Sequence, residues 1–161
     1  MSSFRKSLRK LRVKLHLCRP EKFGTTALAD MQRFVPADAR AMILDVGANT
    51  GQSVKRFRKV FPSSIIHSFE PSPATFEKLK ANIAEQKDAF AWNRALGSSV
   101  GEQTFLENTH SDMSSFLELS TTGWGKIEKR TTVEVLAVDH FLTTNRIESV
   151  DILKSDTQGY D

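Results

Sequence analysis

Short apolar runs alternate with amphipathic segments through the first two thirds of the chain. The apolar runs are bounded by turn-forming or polar residues, which is typical of buried parallel strands. The amphipathic segments carry apolar residues at helical spacing. The predicted strands are 42–46, 65–69 and 89–93, and the predicted helices are 51–61 and 73–86. This order predicts a doubly wound α/β half-sheet, in which right-handed crossovers give the strand order 3-2-1.

The pattern changes after the third predicted strand. Two short strands on either side of a polar, serine-rich loop predict an inserted antiparallel pair, and a short helix follows with Asp139 as its N-cap. A last apolar run predicts a fourth parallel strand beside the first. The sheet order then becomes 3-2-1-4, with helices on both faces. These later elements are the strand pair 104–107 and 132–135, the helix 141–145 and the strand 150–156.

The N-terminal segment differs from the rest of the chain in charge. Residues 1–19 contain seven Lys and Arg and no acid, whereas the remainder carries 16 basic and 19 acidic residues. We therefore expect no nucleic-acid binding by the globular domain 20–161, because its surface is not suited to neutralise phosphates. The arm 1–19 is predicted to form a basic amphipathic helix, whose apolar stripe consists of Phe4, Leu8, Leu11 and Leu15. This helix either packs on the domain or docks on an anionic membrane surface or a partner.

The composition bounds the cellular context. The sequence holds no apolar run near the ~20 residues that span a bilayer, and the basic N-terminus lacks the apolar core of a secretory signal. Cys18 is the single cysteine, so an internal disulfide is excluded. These observations predict a cytoplasmic chain, peripheral to a membrane if the arm binds one. A further short helix is predicted at 25–34, closed before Pro36.

The candidate chemistry lies where the predicted parallel strands end. The loop 45–51, Asp-Val-Gly-Ala-Asn-Thr-Gly, joins the first strand to the first helix, where open α/β sheets bind ligands. Gly47 and Gly51 leave room for a ligand to approach the backbone. Glu70 ends the second strand, where an acid accepts hydrogen bonds from ribose hydroxyls or favours a helix N-terminus. The loop matches neither Gly-x-Gly-x-x-Gly nor a P-loop, which leaves a nicotinamide dehydrogenase as a distant alternative.

Four segments of the chain, namely 43–51, 69–73, 93–97 and 153–161, resemble the motifs of the FkbM family of class I S-adenosylmethionine-dependent methyltransferases and occur in the same order. The resemblance spans about residues 42–161, and it implies a Rossmann-like fold with S-adenosylmethionine as the cofactor. One departure concerns the last segment, where the family commonly has Glu after Gly-Tyr and this chain has Asp161.

The resemblance also implies the cofactor-binding residues by position. The glycine loop and the acid before it hold the methionine end, the acid after the second strand holds the ribose, and the remaining residues flank the adenine. Two acids at the edge of the site suit a sulfonium cation. From the methionine end to the adenine, the implied residues are Asp45, Gly47, Ala48, Asn49, Gly51, Glu70, Pro71, Ser72, Asn93 and Ala95.

A methyltransferase of this kind chiefly aligns its reactants, and a hydroxyl acceptor benefits from a base. Asp156, at the end of the fourth strand, is either that base or the cap of a following helix. His110, in the polar loop, is either a second candidate base or a solvated loop residue. His67, Trp92 and Trp124 are expected to serve packing. No His, Cys or acidic cluster has metal-ligand spacing, so we expect no metal.

The resemblance implies O-methylation of a hydroxyl on a glycan or secondary metabolite. The alternative is a truncated, non-catalytic domain that binds the cofactor or serves as an interaction module. A complete class I sheet has seven strands, whereas this sequence supplies four parallel ones. We therefore expect a chain that is incomplete at its C-terminus, or else a partner or second copy that completes the open edge at 150–155.

Overall fold

The computed structural model describes residue 24 and residues 26–160, and the chain divides into two units between Phe34 and Val35. The arm 1–19, Cys18 and Asp161 lie outside the described residues, so the expectations for them stay predictions. The first unit contains helix α1 (Ala27–Met31), capped by the hydroxyl of Thr26, which accepts a hydrogen bond from Ala29 N at 3.1 Å. The helix is shorter than the predicted 25–34.

The second unit contains the rest of the secondary structure. The three predicted parallel strands and the two helices between them are all present, with ends that differ from the expected ones by a few residues. The elements are β1 (Met42–Val46), α2 (Gln52–Val60), β2 (Ile65–Phe69), α3 (Pro73–Ile83), β3 (Ala89–Trp92), β4 (Ala95–Gly97), β5 (Gly101–Asn108), a 3₁₀ helix (Ser111–Met113), β6 (Ile127–Ala137), α4 (Val138–Thr144) and β7 (Ile152–Ser155). No helix in these ranges or in the first unit's described part is long and apolar enough to cross a membrane.

The main sheet is parallel, with the order β3-β2-β1-β7. This confirms the α/β fold and the predicted order 3-2-1-4, because β7 is the fourth parallel strand. β1 is central and almost wholly buried, which explains its continuous apolar run. β7 pairs with β1 and forms one edge of the sheet as described. That a partner or second copy completes this edge stays a prediction.

Helices cover both faces of the main sheet, as expected. Alternate residues of a strand point to opposite faces. On one face, Leu44 and Phe69 form a buried cluster with Phe141 of α4. On the other face, the carboxylate of Asp45 accepts a hydrogen bond from the hydroxyl of Ser53 in α2. The aromatic cluster thus fills one side of the sheet, while the polar chemistry lies on the other side.

The inserted segment forms more than the predicted strand pair. β5 and β6 are antiparallel and extend well beyond 104–107 and 132–135, and β4 adds a third strand parallel to β6. The result is a separate three-stranded sheet with the order β4-β6-β5. The outer parts of β5 and β6 are polar and exposed. They are held by the hydrogen-bonded ladder rather than by burial, so hydrophobic patterning could not reveal them.

One predicted cap is wrong. Helix α4 begins at Val138, three residues before the expected start, and its N-cap is Ala137, which offers no side-chain hydrogen bond. Asp139 lies in the first turn instead. There its charge favours the helix N-terminus through the dipole.

The two tryptophans behave differently. Trp92 stacks against His67 and Phe69 and meets Phe141 edge-on, which confirms its packing role. The Trp92 indole also donates a hydrogen bond to Nδ1 of His67 at 3.1 Å. Burial lowers the pKa of His67 to about 4, so this ring is a neutral core residue. Trp124 is 76% exposed, so the expectation that it packs in the fold is wrong.

Candidate functional site

The carboxyl ends of the parallel strands meet at one edge of the main sheet and border a cavity of about 260 Å³. This volume is close to the lower end of the ~300–1,000 Å³ range of small-molecule pockets. The cavity is lined by the glycine loop, by the ends of β2 and β7 and by residues of the inserted segment. Of the expected site residues, those that line the cavity are Gly47, Ala48, Asn49, Glu70, Pro71, Ala95 and Asp156.

Asp45 lies beneath the glycine loop rather than in the cavity wall. Its side chain is fully buried, and its carboxylate accepts hydrogen bonds from the hydroxyls of Ser53 and, at 3.5 Å, Ser68. The Nζ of Lys154 stands 3.1 Å from the other carboxylate oxygen. Strand register explains this cluster, because Asp45 pairs directly with Ser68 on β2 and with Lys154 on β7. The predicted direct contact between Asp45 and a ligand stays a prediction.

Lys154 connects the glycine loop to the end of β7. Besides its ion pair with Asp45, its ammonium group donates to the carbonyl oxygens of Val46 at 3.2 Å and Gly47 at 2.9 Å. It also approaches the carboxylate of Asp156 at 3.7 Å. The side chain lines the cavity. One half-buried cation therefore fixes the start of the loop and neutralises the acid beneath it.

The glycines of the loop serve the packing of the fold, and that they leave room for a ligand stays a prediction. Gly47 has φ +70°, and a Cβ there would stand 2.1 Å from the carbonyl oxygen of Asp156. Gly51, with φ +90°, is the N-cap of α2 and packs against Leu79 and Ile83 of α3. The loop thus needs glycine where it meets β7 and where it enters α2.

Glu70 is the buried carboxylate that reaches the cavity. One of its oxygens accepts a hydrogen bond from the backbone N–H of Asn49 and the other from that of Ser72, both at 3.0 Å. Burial raises the pKa of Glu70 to about 7, assisted by the nearby charge of Glu107. The two backbone donors and Lys154 act in the opposite direction without cancelling this effect. Near neutral pH this group is poised between its two protonation states.

Ser72 and Asn93 form hydrogen bonds with residues at and beside the site. The Ser72 hydroxyl caps α3 and donates to Glu107 at 2.6 Å, and the Asn93 side chain donates to the carbonyl oxygens of Glu70 and Pro71. Burial alone would raise the pKa of Glu107, but hydrogen bonds from Ser72 and Thr131 hold it below its ordinary value. Ser72 and Asn93 do not line the cavity. Their hydrogen bonds instead fix the backbone that carries Glu70.

The two candidate bases occupy different positions. Asp156 lines the cavity with its carboxylate 58% exposed, and it accepts a hydrogen bond from Gln158 at 3.0 Å. No helix follows it within the described residues, so the expected capping role is absent there. His110 precedes the 3₁₀ helix, is exposed and does not line the cavity. The structure therefore brings Asp156, and not His110, to the cavity.

The inserted segment closes over the glycine loop. Ser111 and Asn49 are in hydrogen-bond contact through their side chains at 3.3 Å, which joins the 3₁₀ helix to the loop. Phe105 and Phe116, in edge-to-face contact, add an apolar portion to the wall. The cavity therefore combines polar groups with apolar and aromatic side chains, as small-molecule sites commonly do.

Sequence reasoning missed three cations that line the cavity, namely Arg56, Arg94 and Lys154. Lys154 could not be found from the predicted strand bounds, because aligning the ends of 42–46 and 150–156 places Ser155 opposite Asp45, whereas the observed register places Lys154 there. Arg94 is paired with Glu134 of β6 at 2.8 Å, and that partner comes from the inserted sheet. Arg56 is one of several exposed cations on α2, so nothing in the sequence pattern distinguishes it as a cavity residue.

The comparisons with known proteins agree with this geometry. The family model described as the methyltransferase FkbM domain matches residues 45–161, which include the glycine loop and β7. This chain belongs to that family. It is also 24% identical over 129 residues to the 2-O-methyltransferase NoeI of Sinorhizobium fredii (strain NBRC 101917 / NGR234). The match covers 73% of this chain and 53% of that protein, so the chain spans about half the length of this curated relative.

Proposed function

We propose that this chain binds S-adenosylmethionine and acts as a methyltransferase that transfers the methyl group to a hydroxyl of a glycan or secondary metabolite. The observation that carries the cofactor assignment is the Glu70 carboxylate, buried at the end of β2 and facing the cavity. A buried acid without a dedicated cation is costly unless a ligand uses it. The hydroxyl acceptor is supported by family membership and by the similarity to a 2-O-methyltransferase.

The residues present fit this cofactor. Glu70 would accept hydrogen bonds from the ribose hydroxyls, and Pro71 and Ala95 would flank the adenine. The backbone of Gly47, Ala48 and Asn49 would face the methionine end. The aromatic side of the cavity leaves room for a flat ring, and its acidic side suits a positive sulfur. When bound, the cofactor supplies a methyl group that is already activated for transfer to a nucleophile.

The chain's own residues would then position the acceptor and take up its proton. Asp156 is the side chain we assign to this proton, because its carboxylate is exposed to the cavity. The ion pair with Lys154 orients that carboxylate. Alignment of the hydroxyl oxygen against the methyl group would supply most of the acceleration, and general base catalysis the remainder.

Isothermal titration with S-adenosylhomocysteine tests the cofactor assignment. The wild-type chain is expected to bind, and Glu70→Ala is expected to weaken binding by tenfold or more, because two charge-assisted hydrogen bonds are lost. Glu77→Ala is the matched control, since Glu77 is an exposed acid on α3 that does not line the cavity.

Three outcomes separate the hypotheses. Equal affinities in wild type, Glu70→Ala and Glu77→Ala would remove Glu70 from the site. Absence of binding by the wild-type chain would overturn the cofactor assignment. Binding without transfer of a labelled methyl group to any hydroxyl acceptor would favour the alternative of a non-catalytic cofactor-binding domain.

A further inference from the structure

Three cations line the cavity, and two of them are already paired. Lys154 is held by Asp45 and two backbone carbonyl groups, and Arg94 by Glu134. Arg56 lines the same cavity from α2, is exposed, and forms no ion pair with another described residue. It is therefore the cation of the cavity wall that is available to a negatively charged group of a ligand.

The position of Arg56 relates it to one end of the cavity. Helix α2 starts directly after the glycine loop, and Gln52, Ser53 and Arg56 all line the cavity. Residues three and four apart in a helix lie on the same face, so these three side chains form one surface. This surface follows the glycine loop directly along the chain, and Gly47 and Ala48 of that loop line the same cavity. Arg56 thus lies beside the part of the cavity assigned to the methionine end of the cofactor.

We propose that Arg56 binds the α-carboxylate of the methionine moiety of S-adenosylmethionine. This inference rests on the proposed cofactor. The amino-acid end carries a carboxylate and an ammonium group, and the sulfur carries a positive charge. The acids of the cavity wall, which include Asp112 and Asp156, suit the two positive groups. The carboxylate needs a cation, and the planar guanidinium of an arginine can donate two parallel hydrogen bonds to it.

A ligand pair that differs by this one carboxylate isolates the contact. S-adenosylmethionine and its decarboxylated form are titrated calorimetrically into wild type and Arg56→Gln. The variant is expected to bind S-adenosylmethionine about tenfold more weakly, the loss typical of a hydrogen-bonded charge in a partly exposed setting. Its affinity for the decarboxylated ligand is expected to stay within about twofold of wild type, because that ligand offers Arg56 no anion.

Lys59→Gln is the matched control. Lys59 is an exposed cation near the end of α2 and does not line the cavity, so this variant removes the same charge from the same helix. It is expected to bind both ligands as wild type does. Arg56→Lys is expected to recover part of the lost affinity, because an ammonium group keeps the charge but not the paired donors.

The outcomes divide cleanly. A loss confined to S-adenosylmethionine supports the contact between Arg56 and the carboxylate. Equal losses for both ligands, or unchanged affinity for S-adenosylmethionine in Arg56→Gln, would overturn it while leaving the cofactor assignment intact. Failure of wild type to bind either ligand would overturn the cofactor assignment and this inference together.

Discussion

The ends of β1 and β2 each carry a buried carboxylate at the same edge of the sheet, yet the two acids have opposite surroundings. Asp45 is fully buried and receives an ion pair from Lys154 and a hydrogen bond from the Ser53 hydroxyl. Glu70 is also buried, but its two oxygens meet only backbone N–H groups, and burial raises its pKa to about 7. The fold neutralises the first charge with a cation and leaves the second one without.

This difference assigns the two acids to different tasks. An acid with its own cation has its charge neutralised in the absence of a ligand, and this ion pair joins the start of the glycine loop to β7. A buried acid without a cation is costly to ionise, and hydroxyl groups of a ligand would stabilise its charge by donating hydrogen bonds. The cost of ionisation would therefore favour ligand binding. Three predictions test this contrast.

The largest effect is expected when the cation of Asp45 is removed. Lys154→Met leaves a buried carboxylate without its ion pair, which costs about 3 kcal/mol of unfolding free energy. Urea denaturation followed by circular dichroism measures it. Lys78→Met, an exposed lysine on α3, is the control and is expected to change stability by less than about 0.5 kcal/mol. Similar losses in both variants would contradict a structural role for the ion pair.

A smaller effect is expected in the pH dependence of stability at Glu70. Its folded pKa of about 7 exceeds the ordinary value of 4.5, so the native state binds more protons than the unfolded state between these values. Stability contributed by this group is therefore present below pH 4.5 and lost as pH rises through 7. The unfolding free energy of Glu70→Gln minus that of wild type is expected to increase by about 2 kcal/mol from pH 5.5 to 8. A constant difference across this range would contradict the raised pKa.

The smallest expected effect is on ligand affinity. The ionised form of Glu70 accepts hydrogen bonds from ribose hydroxyls, so wild type is expected to bind S-adenosylhomocysteine roughly tenfold more weakly at pH 6 than at pH 8. Residual binding by Glu70→Gln is expected to be independent of pH over this range. Titrations at both pH values measure the two slopes, and parallel slopes would assign the pH effect to another group.

The parallel half of the fold was predictable because each of its strands is a local apolar pattern. β1 and β2 are short buried runs, β3 is a short, partly exposed apolar run, and the right-handed crossover rule fixes their order. Glu70 was predictable as a site residue for the same reason, since its position follows from the end of β2. β4 was missed because three residues carry too little pattern, and the exposed ends of β5 and β6 carry none.

The roles of individual side chains depended on contacts between distant residues. The resemblance implied cofactor contacts for Asp45 and Asn93, and these stay predictions. Only the structure shows that the two side chains also contact Lys154 and the backbone around Glu70. Trp124 looked like a packing residue, but the turn that carries it is exposed. Long-range register and burial cannot be read from local spacing.

The sequence by itself determined the parallel sheet, the glycine loop at its carboxyl edge and the acid at the end of β2, because hydrophobic periodicity and chain order suffice for these features. Tertiary structure alone decided which charges are neutralised. Lys154 is 109 residues from Asp45 along the chain, yet it lies opposite in the sheet. Glu70 is buried without such a partner, so the proximity of charges, which local sequence does not show, distinguishes the two acids.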